Sequence, residues 1–301
     1  MSAAAEPSRC PKCQGRKYVI EPRGDRAFAT ICFCARPCPR CGDLGFVYTT
    51  KEETISGKIG KRTYEVLVDC ECQLRERRVR AYNDAHLPAA SAHASFATFR
   101  GWTPHQDRAL QVASAFAYTY SRTKPTRGFI LSGPVGTGKT HLLAAALSHL
   151  LLESGVTAAY VEISLLYATI RRGFQEGKSG GEIIGPLSEV EVLAIDELGK
   201  GRGSAFELET MDELIARRYN AGRTTLFATN YSLAPEKKPL PNTTSARGYR
   251  TSADVKQAGA EPELLRERTS ERIYSRLCEM CDFVELPAGT PDHRLVRHEL
   301  R

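Results

Sequence analysis

Gly133-Pro134-Val135-Gly136-Thr137-Gly138-Lys139-Thr140 is a complete G-x-x-x-x-G-K-T, set between an apolar run at 129–132 and a helical stretch at 141–152. Strand, glycine-rich turn, helix is the order a phosphate cradle needs. Its glycines let backbone N–H groups wrap a polyphosphate, and the helix N-terminus adds a favourable field. Lys139 is placed to reach the β- and γ-phosphates, and the Thr140 hydroxyl to ligate Mg²⁺. All eight residues are expected to contact ATP.

Outward from this loop the pattern repeats. Apolar runs at 158–163, 192–195 and 225–228 alternate with helical stretches at 105–122, 141–152 and 208–221. Such alternation predicts an α/β fold with a parallel sheet. A last helix is expected at about 266–281, before a strand at 283–286. Val192-Leu-Ala-Ile-Asp196-Glu197 is an apolar strand ending in two acids. Asp196 is expected to support the magnesium and Glu197 to activate the attacking water. Thr229-Asn230 ends another strand, where Asn230 can orient water or simply cap a turn. Arg272 and Arg276 share one helical face at i and i+4. Arg276 there is either a solvated charge or a group that acts on a neighbouring subunit.

Upstream, eight cysteines fall within the first 72 residues. Cys10-x2-Cys13 is answered by Cys32-x-Cys34, and Cys38-x2-Cys41 by Cys70-x-Cys72. The run from Cys10 to Val19 aligns with that from Cys38 to Val47, so the head is an internal duplication. Each copy reads as a knuckle, a hairpin and a returning pair, the second with a turn near Ser56-Gly57-Lys58. Four thiolates per copy suit tetrahedral zinc. The simplest assignment is Cys10, Cys13, Cys32 and Cys34 for one ion, and Cys38, Cys41, Cys70 and Cys72 for a second. An iron–sulfur cluster is the chemical competitor, and spacing alone leaves interleaved pairing open. Cys278 and Cys281 form a further C-x2-C on the predicted last helix, read as small buried residues.

The chain has 301 residues, 42% hydrophobic and 26% charged, as in globular proteins. It has no secretory signal and no apolar run long enough to span a membrane, so a cytoplasmic location is expected. Net charge is +7. Residues 1–100 carry 17 Lys and Arg against 11 Asp and Glu, a net +6. That basic excess suits a nucleic acid or an acidic protein face, or is merely solvated. A charged stretch from Arg75 is expected to begin a connecting helix. The expected organisation is a cysteine-rich head at 1–80, a linker docking on the motor at 81–104, and the motor at 105–301. A polar, Pro- and Ser-rich insertion is placed at 233–265.

Together, Gly133–Thr140, Asp196-Glu197, Thr229-Asn230 and the helix with Arg276 resemble the AAA+ ATPases of the DnaC/DnaI helicase-loader group. The related IstB-like transposition ATPases share this core. The resemblance covers about 85–300 and implies an AAA+ P-loop parallel sheet flanked by helices, here preceded by a small double zinc-knuckle domain. It implies that Arg276 is an arginine finger acting in trans, and that Arg294 in Pro291-Asp-His-Arg senses the γ-phosphate. It further implies ATP hydrolysis, ATP-dependent homo-oligomers, contact with single-stranded DNA, and a replicative helicase as client. DnaI-type loaders carry a zinc head that meets the helicase, whereas this head has two four-cysteine copies. Two other readings are a transposition-associated ATPase and a nucleotide-gated zinc adaptor that binds protein or RNA.

Overall fold

The computed structural model describes residues 10–54, 61–124, 126–233 and 263–299. The expected turn at 56–58 and most of the expected insertion, 234–262, lie outside the described residues.

Two antiparallel hairpins open the chain: β1 (Tyr18–Arg23) with β2 (Arg26–Ile31), and β3 (Phe46–Thr54) with β4 (Lys61–Asp69). Between them the chain makes only a short 3-10 turn, Phe33–Ala35. After β4 it enters α1 (Glu71–Asp84), which begins four residues before the expected Arg75. Cys70 is extended and Glu71 sits in the first turn, where a carboxylate complements the helix dipole.

The motor begins with α2 (Pro104–Thr119). Thr103 caps it by accepting the Gln106 N–H, and Pro104 occupies the first turn, where its missing donor costs nothing. Then come β5 (Gly128–Ser132), α3 (Lys139–His149), β6 (Ala158–Glu162), α4 (Ile163–Gln175), α5 (Gly180–Glu189) and β7 (Val192–Asp196). They are followed by α6 (Ala205–Asn220) and β8 (Thr224–Thr229), then α7 (Leu265–Thr269), α8 (Glu271–Met280), β9 (Cys281–Glu285) and α9 (His293–Glu299). The five motor strands form one parallel sheet in the order β6-β7-β8-β5-β9.

Strands β5, β7 and β8 are buried along their whole length, which explains their continuous apolar sequences. Alternate residues feed two cores. Phe129, Leu131, Val192, Ala194, Leu226 and Ala228 face one, with α2 and α3. Ile130, Leu193, Ile195 and Phe227 face the other, with α4, α6 and α8. Tyr18, Ala27 and Ala29 of the first hairpin join the first core, as do Val79 and Tyr82 of α1 and Leu87, Ala92 and Phe99 of the segment after it. The Asn83 side chain pairs with both backbone groups of Ala29, and the Tyr18 hydroxyl donates to Glu153 at 2.7 Å. The second hairpin has only a small cluster of Cys38, Cys41 and Cys70, with Val47 and Cys72 beside it.

The single helix expected at 266–281 is instead two. Ser270 adopts φ 75, a left-handed conformation that L-residues rarely take and that no helix continues through. Cys281 is already strand: it is buried and its thiol donates to the Thr225 carbonyl, whereas Cys278 is exposed. The expectation that both thiols are buried on one helix fails for Cys278.

Candidate nucleotide and metal sites

In the head, the four Sγ atoms of Cys10, Cys13, Cys32 and Cys34 lie within 4.8 Å of one another, as do those of Cys38, Cys41, Cys70 and Cys72. Cys13–Cys34 and Cys41–Cys72 are both 3.4 Å apart, and Cys10–Cys32 and Cys38–Cys70 both 3.9 Å. A zinc ion with bonds of about 2.3 Å needs tetrahedral edges of about 3.8 Å, so both donor sets fit it. Pairing is within each copy, not interleaved. The duplication extends to the backbone. Gln14, Gly15 and Lys17 have positive φ, as do Gly42, Asp43 and Gly45 at the matching positions. The turn bonds Gln14 N to Cys10 O and Cys32 N to Lys17 O recur as Gly42 N to Cys38 O and Cys70 N to Gly45 O.

In the motor, β5 delivers the loop 133–140 at the carboxyl edge of the sheet, where open parallel sheets bind their ligands. β7 and β8 end beside it. A cavity of about 380 Å³ is lined by Val135, Gly136, Gly138, Lys139, Thr140, Asp196, Glu197, Asn230 and Arg294. The loop has no room for side chains at its glycines. A Cβ on Gly136 would lie 2.0 Å from the Asp292 carboxylate, and one on Gly138 would lie 2.5 Å from the Phe99 ring. Both glycines also have positive φ.

Lys139 is buried, and its ammonium donates to the carbonyls of Gly133 and Pro134, each at 2.6 Å. Burial pushes its pKa down to about 8, against the pull of Asp196. The Thr140 hydroxyl donates to Asp196 Oδ2 at 2.7 Å, so the two oxygens expected to hold magnesium converge. Asp196 Oδ1 accepts the backbone N–H of Glu197 at 2.8 Å. Glu197 itself has φ 56, and its carboxylate ion-pairs with Lys200. Arg294 is exposed, as are Val135, Thr140 and Asn230, and it sits on the first turn of α9. Arg276 is not in this cavity; it lies on α8 and donates to Asp212 of α6 at 2.7 Å, alongside Arg272.

Several groups here have no motif to betray them. The His293 N–H donates to the Gly136 carbonyl at 2.9 Å, and the ring packs against Trp102 and Phe99. The Tyr160 hydroxyl on β6 donates to Asp196 Oδ2 at 2.8 Å, the oxygen that also takes the Thr140 hydroxyl. Burial and the Asp196 charge push the Tyr160 pKa up, so it stays a donor. Losing a hydrogen bond to a charged carboxylate costs about 1.5 kcal/mol, a factor of about ten. Tyr160→Phe should therefore raise the Mg²⁺ concentration needed for tight nucleotide binding by about tenfold. Binding in chelator should not change. A magnesium titration with a fluorescent nucleotide checks this, and an unaltered titration would remove Tyr160 from the site.

A P-loop, a strand-end Asp-Glu and a five-stranded parallel sheet in this order define an ATP-binding protein of AAA+ fold. The model of the IstB-like ATP binding proteins matches residues 47–243, and the chain belongs to that family. It is 28% identical over 162 residues to the replicative helicase loader DnaC of Escherichia coli K12, covering 54% of this chain and 65% of that protein. It is 30% identical over 128 residues to DnaC of Buchnera aphidicola subsp. Baizongia pistaciae, 42% of this chain and 52% of the relative. The chain thus spans less than two thirds of these relatives. The crystal structure of the DnaC helicase loader superposes with a TM-score of 0.51 at 24% identity, over 65% of this chain and 98% of that one. That likeness concerns the fold. Among the described residues no helix is long and apolar enough to cross a membrane.

Proposed function

We propose that this chain is a cytoplasmic AAA+ ATPase that loads a replicative helicase onto single-stranded DNA, working as an ATP-dependent homo-oligomer. The observation that carries the reading is the convergence of Lys139, Thr140, Asp196 and Glu197 at one sheet edge, in a chain similar to DnaC. The P-loop N–H groups and Lys139 hold the phosphates. Mg²⁺ held by Thr140 and Asp196 would neutralise charge between the β- and γ-oxygens. Glu197 accepts the proton of the attacking water once it leaves Lys200, Asn230 orients that water, and Arg294 contacts the γ-phosphate. Arg276 completes the site of the neighbouring subunit. Two zinc ions hold the head (1–80), which the linker (81–104) joins to the ATPase domain (105–301) with its insertion at 233–265.

The test is an ATPase assay with and without single-stranded DNA across a salt series. A DNA-stimulated rate that weakens with salt is expected, because phosphate contacts release counterions. Lys139→Ala should abolish ATP binding, and Glu197→Gln should retain ATP but stop turnover. Full turnover in either variant removes that assignment. A second reading, a nucleotide-gated zinc adaptor, draws on the second hairpin. Phe46, Tyr48 and Leu67 share one face of it, and 44%, 76% and 55% of their surfaces are exposed. An ATPase indifferent to DNA would favour that reading.

A further inference from the structure

The two cysteine repeats share a backbone but not a charge. Residues 10–40 hold seven Lys and Arg against two acids, whereas 41–70 hold four against five. The basic excess of the head is therefore a property of the first repeat, the one packed on the motor. Where that repeat meets α1 and the turn after α3, a cleft of about 760 Å³ opens. Arg16, Arg75 and Arg78 line it.

Among the described residues, none of these three guanidiniums is in an ion pair. Arg16 donates to the Cys13 carbonyl and stacks on the Tyr18 ring, and Arg78 donates to the Leu152 carbonyl. Arg75 is half-buried and has no hydrogen bond or ion pair among the described residues. Elsewhere on the same helix the arginines are matched: Arg77 pairs with Asp69 and Arg80 with Glu76. The cleft does contain two acids. Glu153 is engaged by the Tyr18 hydroxyl, and Glu71 stands exposed at the start of α1. Guanidiniums that converge on one cleft outside any ion pair recognise phosphate, which they can bind with paired N–H donors. Outside the cleft lining but on the same repeat, Phe33 stands between two zinc ligands, is 91% exposed and offers a ring on which a base can stack.

We propose that this cleft binds the phosphodiester backbone of a single-stranded nucleic acid, giving the chain a strand contact on its head that is separate from the ATP site. The assignment deepens the DNA-acting reading above and rests on it. It places the strand on the first repeat and leaves the second repeat's apolar face for other contacts.

The experiment is fluorescence anisotropy of a labelled oligothymidylate with the full-length, zinc-loaded chain, without nucleotide, over a salt series. Arg75→Glu should weaken binding about tenfold and flatten the slope of log K against log salt by about 0.7 for each phosphate no longer neutralised. Arg77→Glu, on the same helix but outside the cleft, should bind as the parent does. Glu71→Gln should bind more tightly. Zinc content and melting temperature are measured on each variant, so that a folding defect is not read as a binding one. Equal binding by the parent and Arg75→Glu, or equal losses in the Arg75 and Arg77 variants, would overturn the cleft. So would displacement of the oligonucleotide by pyrophosphate at stoichiometric concentration, which would mark a small-anion site. Oligonucleotide bound equally by the parent and Arg75→Glu removes the cleft and leaves the DNA-acting reading standing, whereas no binding by the parent removes both; ATP binding by Arg75→Glu should be unchanged in either case.

Discussion

Removing zinc should unfold the second hairpin completely and the first only in part. Each structural zinc contributes on the order of 10 kcal/mol to a small module, comparable with the whole stability of a domain. Without it, β3 and β4 are a lone two-stranded hairpin, which is marginal in water. Their buried cluster is little more than the thiols themselves. The first repeat differs because Tyr18, Ala27 and Ala29 are buried in the motor's own core and Asn83 clamps Ala29. With a chelator, amide protection should vanish from 46–54 and 61–69 while β5, β7 and β8 keep theirs. Cys38→Ser should reproduce that local loss with little change in the motor's melting temperature. Cys10→Ser should lower that temperature as well, since losing the site loosens the Tyr18–Glu153 bond that ties the first hairpin to the motor. Native mass spectrometry should count two zinc ions per chain. One ion or none, or visible absorbance from an iron–sulfur cluster, would overturn the two-zinc head.

The parts legible in the sequence are those whose chemistry demands neighbouring residues. A phosphate cradle needs consecutive N–H groups, so 133–140 is contiguous. A zinc knuckle needs two thiolates from one turn, so Cys10-x2-Cys13 and Cys38-x2-Cys41 announce themselves, and the 28-residue offset even foretells matching positive-φ positions. The capping box from Ser204 to Glu207 marks the start of α6, three residues before the expected 208. What stayed hidden depends on tertiary approach. Tyr160 reaches Asp196 only because β6 lies beside β7, and His293 reaches Gly136 only after the chain has returned through β9. The break at Ser270 has no glycine or proline to signal it. Nor does the cysteine pattern that the two repeats share tell which one packs on the motor; that follows from Tyr18 meeting Glu153, 135 residues away.

Arg276→Ala should cut hydrolysis by about 10³–10⁵-fold while leaving ATP binding to the monomer unchanged, the signature of an arginine finger supplied in trans. The geometry supports action on a neighbour, because Arg276 lies outside its own ATP cavity, on the far helix α8, and is held there with Arg272 by the Asp212 carboxylate. That carboxylate aims the guanidinium and keeps it from dispersing into solvent; the Arg276 side chain is 22% exposed. A structural alternative exists, in which the pair merely ties α8 to α6. Mixing separates the two. Arg276→Ala subunits keep an intact P-loop, and Lys139→Ala subunits keep an intact finger, so a mixed oligomer rebuilds one complete site at each interface of the right order. Partial recovery of hydrolysis on mixing two inactive variants requires a finger in trans. Without recovery, and with a lowered melting temperature for Arg276→Ala, Arg276 is a strut between helices and the trans-acting cation lies elsewhere. Asp212→Asn sharpens the test. It loosens both arginines without removing either, so the finger role predicts a rate loss smaller than that of Arg276→Ala, whereas a strut predicts equal losses.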